Sequence, residues 1–463
     1  MDLMTPQLSR RAMLGAAAAS GLRAAGTRPN ILWILSEDIS PNLSCYGEPL
    51  VQTPNIDAMA RGGVRFNRAY TTAPVCSASR SAFITGQYQT SFGAHNHRTL
   101  YRKPLAAPVR LVTDRLRDVG YFTVLSSAGP SRKDGRQAGS NGSGKTDFNF
   151  DAQRPFDGHD WSQRKSGQPF FAQLTLQESH KGYGWPLGRK VTARIDQSKL
   201  KLPPYYPDHP VARDEYANYL EAIQLVDVYV GEILSRLRRE GILENTLVFF
   251  MGDNGSCTFR GKQFLYEGGI RVPLIAHGPG IAAGTVRDDL VSSLDMTAAT
   301  LAAASVAVPT TLHGRDMLAS NAVPRPHIYA ARDRCDIAIE RMRCVLDSRY
   351  KYIRNFLPGI PYMQPNPYKE REYATWGLVK RLKAEGKLDG VPSLFAADNK
   401  PVEELYDLQA DPHEVRNLAG AAEHGERLKS MGALVDKWIK DTNDHGATME
   451  DPVPIHREYF KKA

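Results

Sequence analysis

At 463 residues and 42% hydrophobic side chains, the chain is long enough to bury a large core and exceeds one typical domain. Lys and Arg number 59 against 50 Asp and Glu, a net charge of +9, which becomes +7 without residues 1–26, where Arg10, Arg11 and Arg23 face only Asp2. The basic residues are scattered and no nucleic-acid motif or basic helix stands out, which argues against nucleic-acid binding and leaves either an affinity for polyanionic glycans or a solvated surface. Five cysteines do not make a disulfide scaffold.

The chain opens on Ser9-Arg10-Arg11-Ala12-Met13-Leu14, a twin-arginine pattern, followed by an Ala-rich run and small residues at Ala24-Ala25. This predicts an export signal over residues 1–26 and a periplasmic or secreted protein. Its apolar run is too short to span a membrane, and no later segment reaches the required length. Residues 30–35 read as a buried strand, with Glu37 and Asp38 at its carboxyl end. Thr53-Pro54-Asn55-Ile56-Asp57 predicts a helix start, Pro taking the first helical position. Cys76-Ser77-Ala78-Ser79-Arg80 precedes a helix-prone run over 81–86, so Cys76 is expected just before a helix, facing its unpaired N–H groups. Arg80, one turn on, can reach back to hold an anion or fix a nucleophile.

His95-Asn96-His97-Arg98 offers a base or a substrate contact, or equally a polar surface loop. A strand over 121–125 leads into a polar, Gly-rich, basic stretch over 126–141, either a substrate contact or a solvated insertion. A long helix is expected over 211–240, with Tyr219, Ala222, Ile223, Val226, Val230, Ile233, Leu234 and Leu237 on one core-facing stripe. Residues 246–251 form another buried strand, and Asp253-Asn254-Gly255 follow it. Strands and helices alternate to about residue 320, the pattern of a mostly parallel sheet covered by helices. Beyond Val323-Pro324-Arg325-Pro326, residues 328–331 and a hairpin over 342–353 turning at Asp347-Ser348 predict a small antiparallel sheet. A terminal helix carries Leu428, Met431, Leu434, Val435, Trp438 and Ile439 on one face. The expected organisation is a signal (1–26), a catalytic domain (27–320) and a smaller C-terminal domain (321–463). Cys335 and Cys344 can pair in an oxidising compartment or remain free buried thiols.

Two acidic pairs at the carboxyl ends of strands are where ligands collect on open α/β sheets. Glu37, Asp38, Asp253 and the Asn254 amide make an all-oxygen set that suits Ca²⁺ or Mg²⁺ rather than zinc.

The Cys-x-Ala-x-Arg pentapeptide at Cys76 resembles the signature of formylglycine-dependent sulfatases, members of the alkaline-phosphatase-like superfamily. Arg28-Pro29-Asn30-Ile31-Leu32, Gly144-Lys145-Thr146-Asp147, Ser179-His180, Lys262 and Tyr266-Glu267-Gly268-Gly269-Ile270-Arg271-Val272-Pro273 follow in that family's order, as do Glu404-Leu405-Tyr406-Asp407-Leu408 and Asp411-Pro412-His413-Glu414. The resemblance covers residues 28 to about 445. It implies an α/β fold with a mostly parallel sheet between helices and a smaller antiparallel sheet plus helix at the C-terminus. It implies that a maturation enzyme oxidises Cys76 to Cα-formylglycine, and that Glu37, Asp38, Asp253, Asn254 and the converted Cys76 hold Ca²⁺, with Mg²⁺ second. Arg80 would support the formylglycine hydrate, while Lys145, His180 and Lys262 hold sulfate oxygens and protonate the leaving group. Glu37 stands where the family usually has Asp. Asp147 stands where it commonly has a His that takes a proton from the hydrate; Asp147 could act as that base, or the His95–Arg98 cluster could.

His97, Arg332 and Asp333 are candidate substrate contacts, and Tyr362, Tyr368 and Trp376 lie in a segment able to line the cleft. The expected activity is hydrolysis of a sulfated carbohydrate, O-sulfated or, by similarity to heparan N-sulfatases, N-sulfated. Phosphoester or phosphonate hydrolysis at the same site, and a catalytically silent glycan-binding relative, are the alternatives.

Overall fold

The computed structural model describes residues 28–127, 144–182 and 184–452, with residue 454. The signal predicted over 1–26 and most of the basic stretch 126–141 lie outside these residues.

Two sheets organise the chain. The larger contains β1 (Asn30–Ser36), β2 (Val64–Tyr70), β3 (Phe122–Ser127), β4 (Phe170–Leu176), β5 (Thr246–Gly252), β6 (Arg271–His277) and β7 (Thr285–Arg287), in the order β3-β4-β1-β5-β6-β2-β7, with β8 (Val291–Ser292) also pairing with β2. β1 runs parallel to β4 and β5, while β6 is antiparallel to both β5 and β2. Every residue of β1, β4 and β5 is buried, as expected for central strands covered on both faces. Alternate side chains of β1 serve opposite cores. Leu32 and Ile34 pack with the long helix Pro210–Arg239, and Ile31, Trp33 and Leu35 pack with Phe83 and Ile84. That helix starts at Pro210, with His209 as its cap.

The helix α1 (Pro54–Arg61) has Pro at its first position as predicted. In α2 (Cys76–Thr85) the expectation needs correction. The helix begins at Cys76 itself, capped by the extended Val75, and ends at Gly86 with φ +71°. Cys76 is therefore part of the first turn rather than a residue ahead of it.

The smaller sheet joins β9 (Ile328–Arg332), β10 (Met342–Leu346), β11 (Tyr350–Asn355) and β12 (Glu403–Asp407) in the antiparallel order β12-β11-β10-β9. The helix Gly425–Asp441 closes it, with Met431 and Val435 packed on Val345, Tyr352 and Leu405. Cys335 and Cys344 are both buried and unpaired, so they form no disulfide. Cys344 sits within β10, whereas Cys335 packs against Val75 and Ala78 beside the start of α2.

Candidate active site

Because β1 and β5 are parallel neighbours with Ser36 opposite Gly252, the chain leaves both strands side by side. Asp253 N–H donates to Ser36 O at 3.0 Å and Ile39 N–H to Asn254 O at 3.1 Å, which ties the two acidic loops together. Asp38 takes a left-handed φ of +53°, and its N–H donates to Asp253 Oδ1 at 3.0 Å. Gly255 is required here, because a Cβ on it would collide with the Gly268 carbonyl. Glu37, Asp38, Asp253 and Asn254 consequently converge in a buried cluster.

The N-terminus of α2 points into that cluster. Cys76 Sγ lies 3.6 Å from Asp38 Oδ1 and accepts from Lys262 Nζ at 3.2 Å. Lys262 also donates to Asp38 Oδ2 at 2.9 Å, so one ammonium bridges the thiol and a carboxylate. Arg80 is fully buried; its Nε donates to Asp253 Oδ2 at 2.9 Å, and its Nη1 to Lys145 O at 3.1 Å and Thr175 Oγ1 at 3.2 Å. Lys145 Nζ donates to Glu37 Oε2 at 2.8 Å. His180 donates from Nδ1 to Lys181 O at 2.7 Å, which turns Nε2 toward Asp38 Oδ2 at 3.6 Å.

Burial alone would raise Asp38, yet Lys262 and His180 hold it well below the usual carboxylate range. Burial and nearby acids raise Asp253, only partly offset by Arg80. Burial pushes the Cys76 thiol up to about 12, so the unmodified side chain is a neutral thiol rather than a thiolate nucleophile. Burial also lowers His180, whereas Lys145 and Lys262 remain charged against burial because of the acids around them. The carboxylates of Glu37, Asp38, Asp147 and Asp253 face an equal number of cations, Arg80, Arg98, Lys145 and Lys262.

The sulfatase family model matches residues 29–306. The chain belongs to the sulfatase family. A second, overlapping match over residues 255–358 is to the C-terminal region of N-sulphoglucosamine sulphohydrolase. An ulvan-active sulfatase of Formosa agariphila is 30% identical, the alignment covering 90% of this chain and 76% of that protein. Human N-sulphoglucosamine sulphohydrolase is 25% identical, covering 93% and 95% of the two chains. Among solved structures, a protein bound to its substrate D-glucosamine-2-N,6-O-disulfate superposes with a TM-score of 0.60 at 18% identity, covering 90% of this chain and 98% of that one. The phosphonate monoester hydrolase of Agrobacterium radiobacter does so with a TM-score of 0.65 at 16% identity, covering 90% and 96%. These last two likenesses establish the alkaline-phosphatase-like fold.

The donor set of this sulfatase fits a hard divalent cation. Atoms of Glu37, Cys76 and Asp253 lie within 4.8 Å of one another. Glu37 Oε1 and Asn254 Oδ1 are buried acceptors that accept no hydrogen bond, the condition expected of oxygens waiting for a metal.

Asp147 lies at the edge of the same cluster. It accepts from Arg98 Nε and Nη2, each at 3.1 Å, and its Oδ2 lies 3.4 Å from Lys145 Nζ. Burial would raise it, but Lys145 and Arg98 hold it well below the usual range, which makes it a weak base. His97, expected as a substrate contact, is buried with Nδ1 at 3.0 Å from Ser77 Oγ and Nε2 at 3.7 Å from Asp336 Oδ1.

Arg332 and Asp333 are only 2% and 4% exposed. The Arg332 guanidinium lies 4.7 Å over the Phe264 ring, and Asp333 pairs with Arg343 at 3.1 Å. These contacts pack both side chains in the interior, while Arg332 Nε and Nη1 and Asp333 Oδ2 reach no hydrogen-bond partner, so a substrate contact at either residue stays an expectation beside interior packing. The segment they begin does reach the site, through Cys335 against Val75 and through Arg334 O, which accepts from His97 N–H at 2.8 Å.

Tyr362 and Trp376 face inward, Tyr362 donating to Glu404 Oε1 at 2.6 Å and Trp376 packing 6.1 Å from Phe259. Tyr368 does reach the cluster, its ring 5.7 Å from Lys262 Nζ and 6.2 Å from His180. Sequence reasoning gave no role to Ser77 or Asp336. Ser77 sits within the Cys76 pentapeptide and Asp336 three residues after Asp333, but no spacing rule links positions 77, 97 and 336.

Proposed function

We propose that this sulfatase hydrolyses a sulfated carbohydrate, O-sulfated or N-sulfated, through a Cα-formylglycine made from Cys76 by a maturation enzyme. Ca²⁺, with Mg²⁺ second, is the cation that Glu37, Asp38, Asp253, Asn254 and the converted residue 76 would hold. The observation that carries this reading is the meeting of Lys262, Asp38 and Cys76 within hydrogen-bonding distance, beside the orphaned oxygens of Glu37 and Asn254. Names of relatives that act on ulvan and on N-sulphoglucosamine support a sulfated sugar as substrate.

When present, the aldehyde hydrate supplies an oxygen nucleophile and the cation draws charge from sulfate oxygens. The chain's own residues do the rest. Lys262 and Lys145 are charged donors at the place where sulfate oxygen charge develops, held by Asp38 and Glu37 so that little reorganisation is needed. Arg80 fixes Asp253 and the Lys145 backbone, which holds the donors in register. His180 turns a free Nε2 into the site, its own proton being held on Nδ1 by Lys181 O. Burial and Lys262 disfavour a second proton and Asp38 favours it, so the ring protonates the departing oxygen only after Nε2 has taken up a proton. Asp147 orients Lys145 and Arg98 as a charge partner. The twin-arginine pattern supports export to the periplasm or beyond.

The test is sulfate release from sulfated oligosaccharides, measured beside turnover of aryl phosphate and phosphonate esters, with peptide mass analysis of residue 76. Sulfate turnover with a peptide about 18 Da lighter than the thiol form supports the reading. Preferred phosphonate turnover, or sugar binding without sulfate release, overturns it.

A further inference from the structure

The loop that follows His97 is pinned on its inner side and bare on its outer side. His97 and Thr99 are buried, His97 against Ser77 and Arg334, and Thr99 through a hydrogen bond from its Oγ1 to Glu450 Oε1. Between them the chain turns at Arg98, whose φ is +50° and whose N–H donates to Ser77 Oγ at 3.0 Å. Tyr101 N–H donates to Thr99 Oγ1 at 3.0 Å, and Lys103 O accepts from Asp151 N–H at 3.0 Å, so both ends of the loop are fixed. Arg98, Leu100, Tyr101, Arg102 and Lys103 are left exposed on that fixed support.

Arg98 stands at the rim of the site. Its side chain is 47% exposed, against 15% for Lys145 and 4% for Lys262. Asp147 takes Nε and Nη2, which leaves Nη1 without a partner among the described residues. Asp147 Oδ2 lies 3.4 Å from Lys145 Nζ, so a single carboxylate separates this guanidinium from a cation of the inner cluster. Arg102 and Lys103 pair with no carboxylate among the described residues. Tyr101, 57% exposed, carries the only exposed aromatic ring among them. An open ring beside cations with free donors suits a sugar that carries negative charge: the ring packs on its C–H face and the cations hold its anion.

We propose that Arg98, with Tyr101, Arg102 and Lys103 beyond it, forms a subsite for a second anionic group, a carboxylate or a sulfate on the sugar next to the one that loses its sulfate. This rests on the sulfated-carbohydrate reading above and narrows it: the substrate is an oligosaccharide with acidic groups on neighbouring sugars, not an isolated sulfated monosaccharide. Arg98 Nη1 donates to the anion while Asp147 holds the other edge of the guanidinium in place. Arg98 is then a specificity-determining residue, and Asp147 is the positioning residue that aims it.

The experiment uses the mature full chain, with formylglycine verified by peptide mass, hydrolysing para-nitrophenyl sulfate. Heparan sulfate tetrasaccharides are added as competitors in three forms: intact, with the uronate carboxyls reduced to alcohols, and desulfated until one sulfate remains. The intact form should bind the native chain about 10–100-fold more tightly than at least one stripped form, the worth of a charge-assisted hydrogen bond. That advantage should shrink as salt is raised. Whichever treatment weakens binding identifies the anion as carboxylate or sulfate. In Arg98→Gln the three inhibition constants should draw together, whatever happens to the aryl sulfate rate. Tyr101→Ala combined with Arg102→Ala and Lys103→Ala removes exposed side chains only, should narrow the gap about 2–10-fold, and serves if Arg98→Gln does not fold. Three equal constants in the native chain overturn the proposal, as does an Arg98→Gln chain that binds all three forms more weakly by one common factor. A native chain without formylglycine, or one that releases no sulfate, overturns the parent reading instead.

Discussion

Glu178 offers a test of how the ground around the site is charged. It is fully buried two residues before His180, and neither carboxylate oxygen reaches a hydrogen-bond partner. Burial, reinforced by Glu37, pushes its carboxyl up to about 8, against 4.5 in an open chain. The folded state therefore keeps a proton that the unfolded chain has released at every pH between those values. Below pH 4.5 both states are protonated and no stability is lost; as pH rises toward 8, stability falls by about 1.4 kcal/mol per pH unit, and above 8 the loss is constant. At pH 7 the burden is about 3 kcal/mol. Glu178→Gln keeps the shape and cannot ionise, at the expense of about 1 kcal/mol for an unpartnered amide. The variant should be more stable than the native chain at pH 8, by about 2–4 kcal/mol, and equal or slightly weaker at pH 5. Urea unfolding at pH 5, 6, 7 and 8 in constant excess Ca²⁺ reads this directly. A stability difference that does not change with pH would refute the reasoning.

Lys262→Ala should lower kcat/KM for aryl sulfate by about 10²–10³-fold, as expected for loss of a charged donor to developing oxygen charge, with the fold retained by circular dichroism. A loss below about threefold would mean that Lys262 does not face the sulfate. Removing the divalent cation with a chelator should leave Glu37, Asp38 and Asp253 facing one another, abolish turnover and lower the melting temperature, both returning with Ca²⁺. At about 100 times Kd the ion contributes about 2.7 kcal/mol, so a melting point unmoved in protein shown to be metal-free would refute the site. Arg98→Ala should impair turnover more than the double variant Arg98→Ala/Asp147→Asn. The expected coupling is about 0.5–3 kcal/mol, read from kcat/KM in a double-mutant cycle, and strict additivity would count against the pair acting as a unit.

The convergence of the acidic residues was legible because they follow strands whose β character is written in apolar runs, within 30–35 and 246–251. Parallel pairing of those strands is all that is needed to bring Glu37, Asp38, Asp253 and Asn254 together. Lys145, His180 and Lys262 were legible only through motif order, since each sits on irregular backbone where periodicity says nothing. The start of α2 was misplaced by a few residues because Cys-Ser-Ala-Ser has modest helix propensity, and only the tertiary setting fixes that first turn. Arg332 was read as a substrate contact beside the cleft. Its packing on Phe264, a residue of the loop that follows β5, joins distant stretches of chain that no local pattern connects. Ser77, His97 and Asp336 were invisible as a unit for the same reason, being joined by folding across more than two hundred residues.

Asp147, where the resemblance leads one to expect His, adds a negative charge at the place where the proposed function puts sulfate, and alone it would repel that substrate. Arg98 removes that difficulty. Its two nitrogens at 3.1 Å neutralise the acid, while the guanidinium stays about half exposed and Lys145 keeps its bond to Glu37. The balance of acids and cations is therefore maintained, and what the exchange takes away is a proton acceptor, not charge. Backbone geometry supports treating the surrounding residues as one device: Arg98, Asp147 and Asp336 all adopt φ near +50°, at 50°, 51° and 51°. Each such residue costs about 1 kcal/mol and persists only where its contacts over-determine it. Arg98 is held by Ser77 and Asp147, Asp147 by Arg98 and Lys145, and Asp336 lies against His97. The same φ recurs at the exposed Arg154, Ser305 and Asn443, so the conformation alone assigns no function; what sets Arg98, Asp147 and Asp336 apart is that each is held by ionisable partners beside the candidate site.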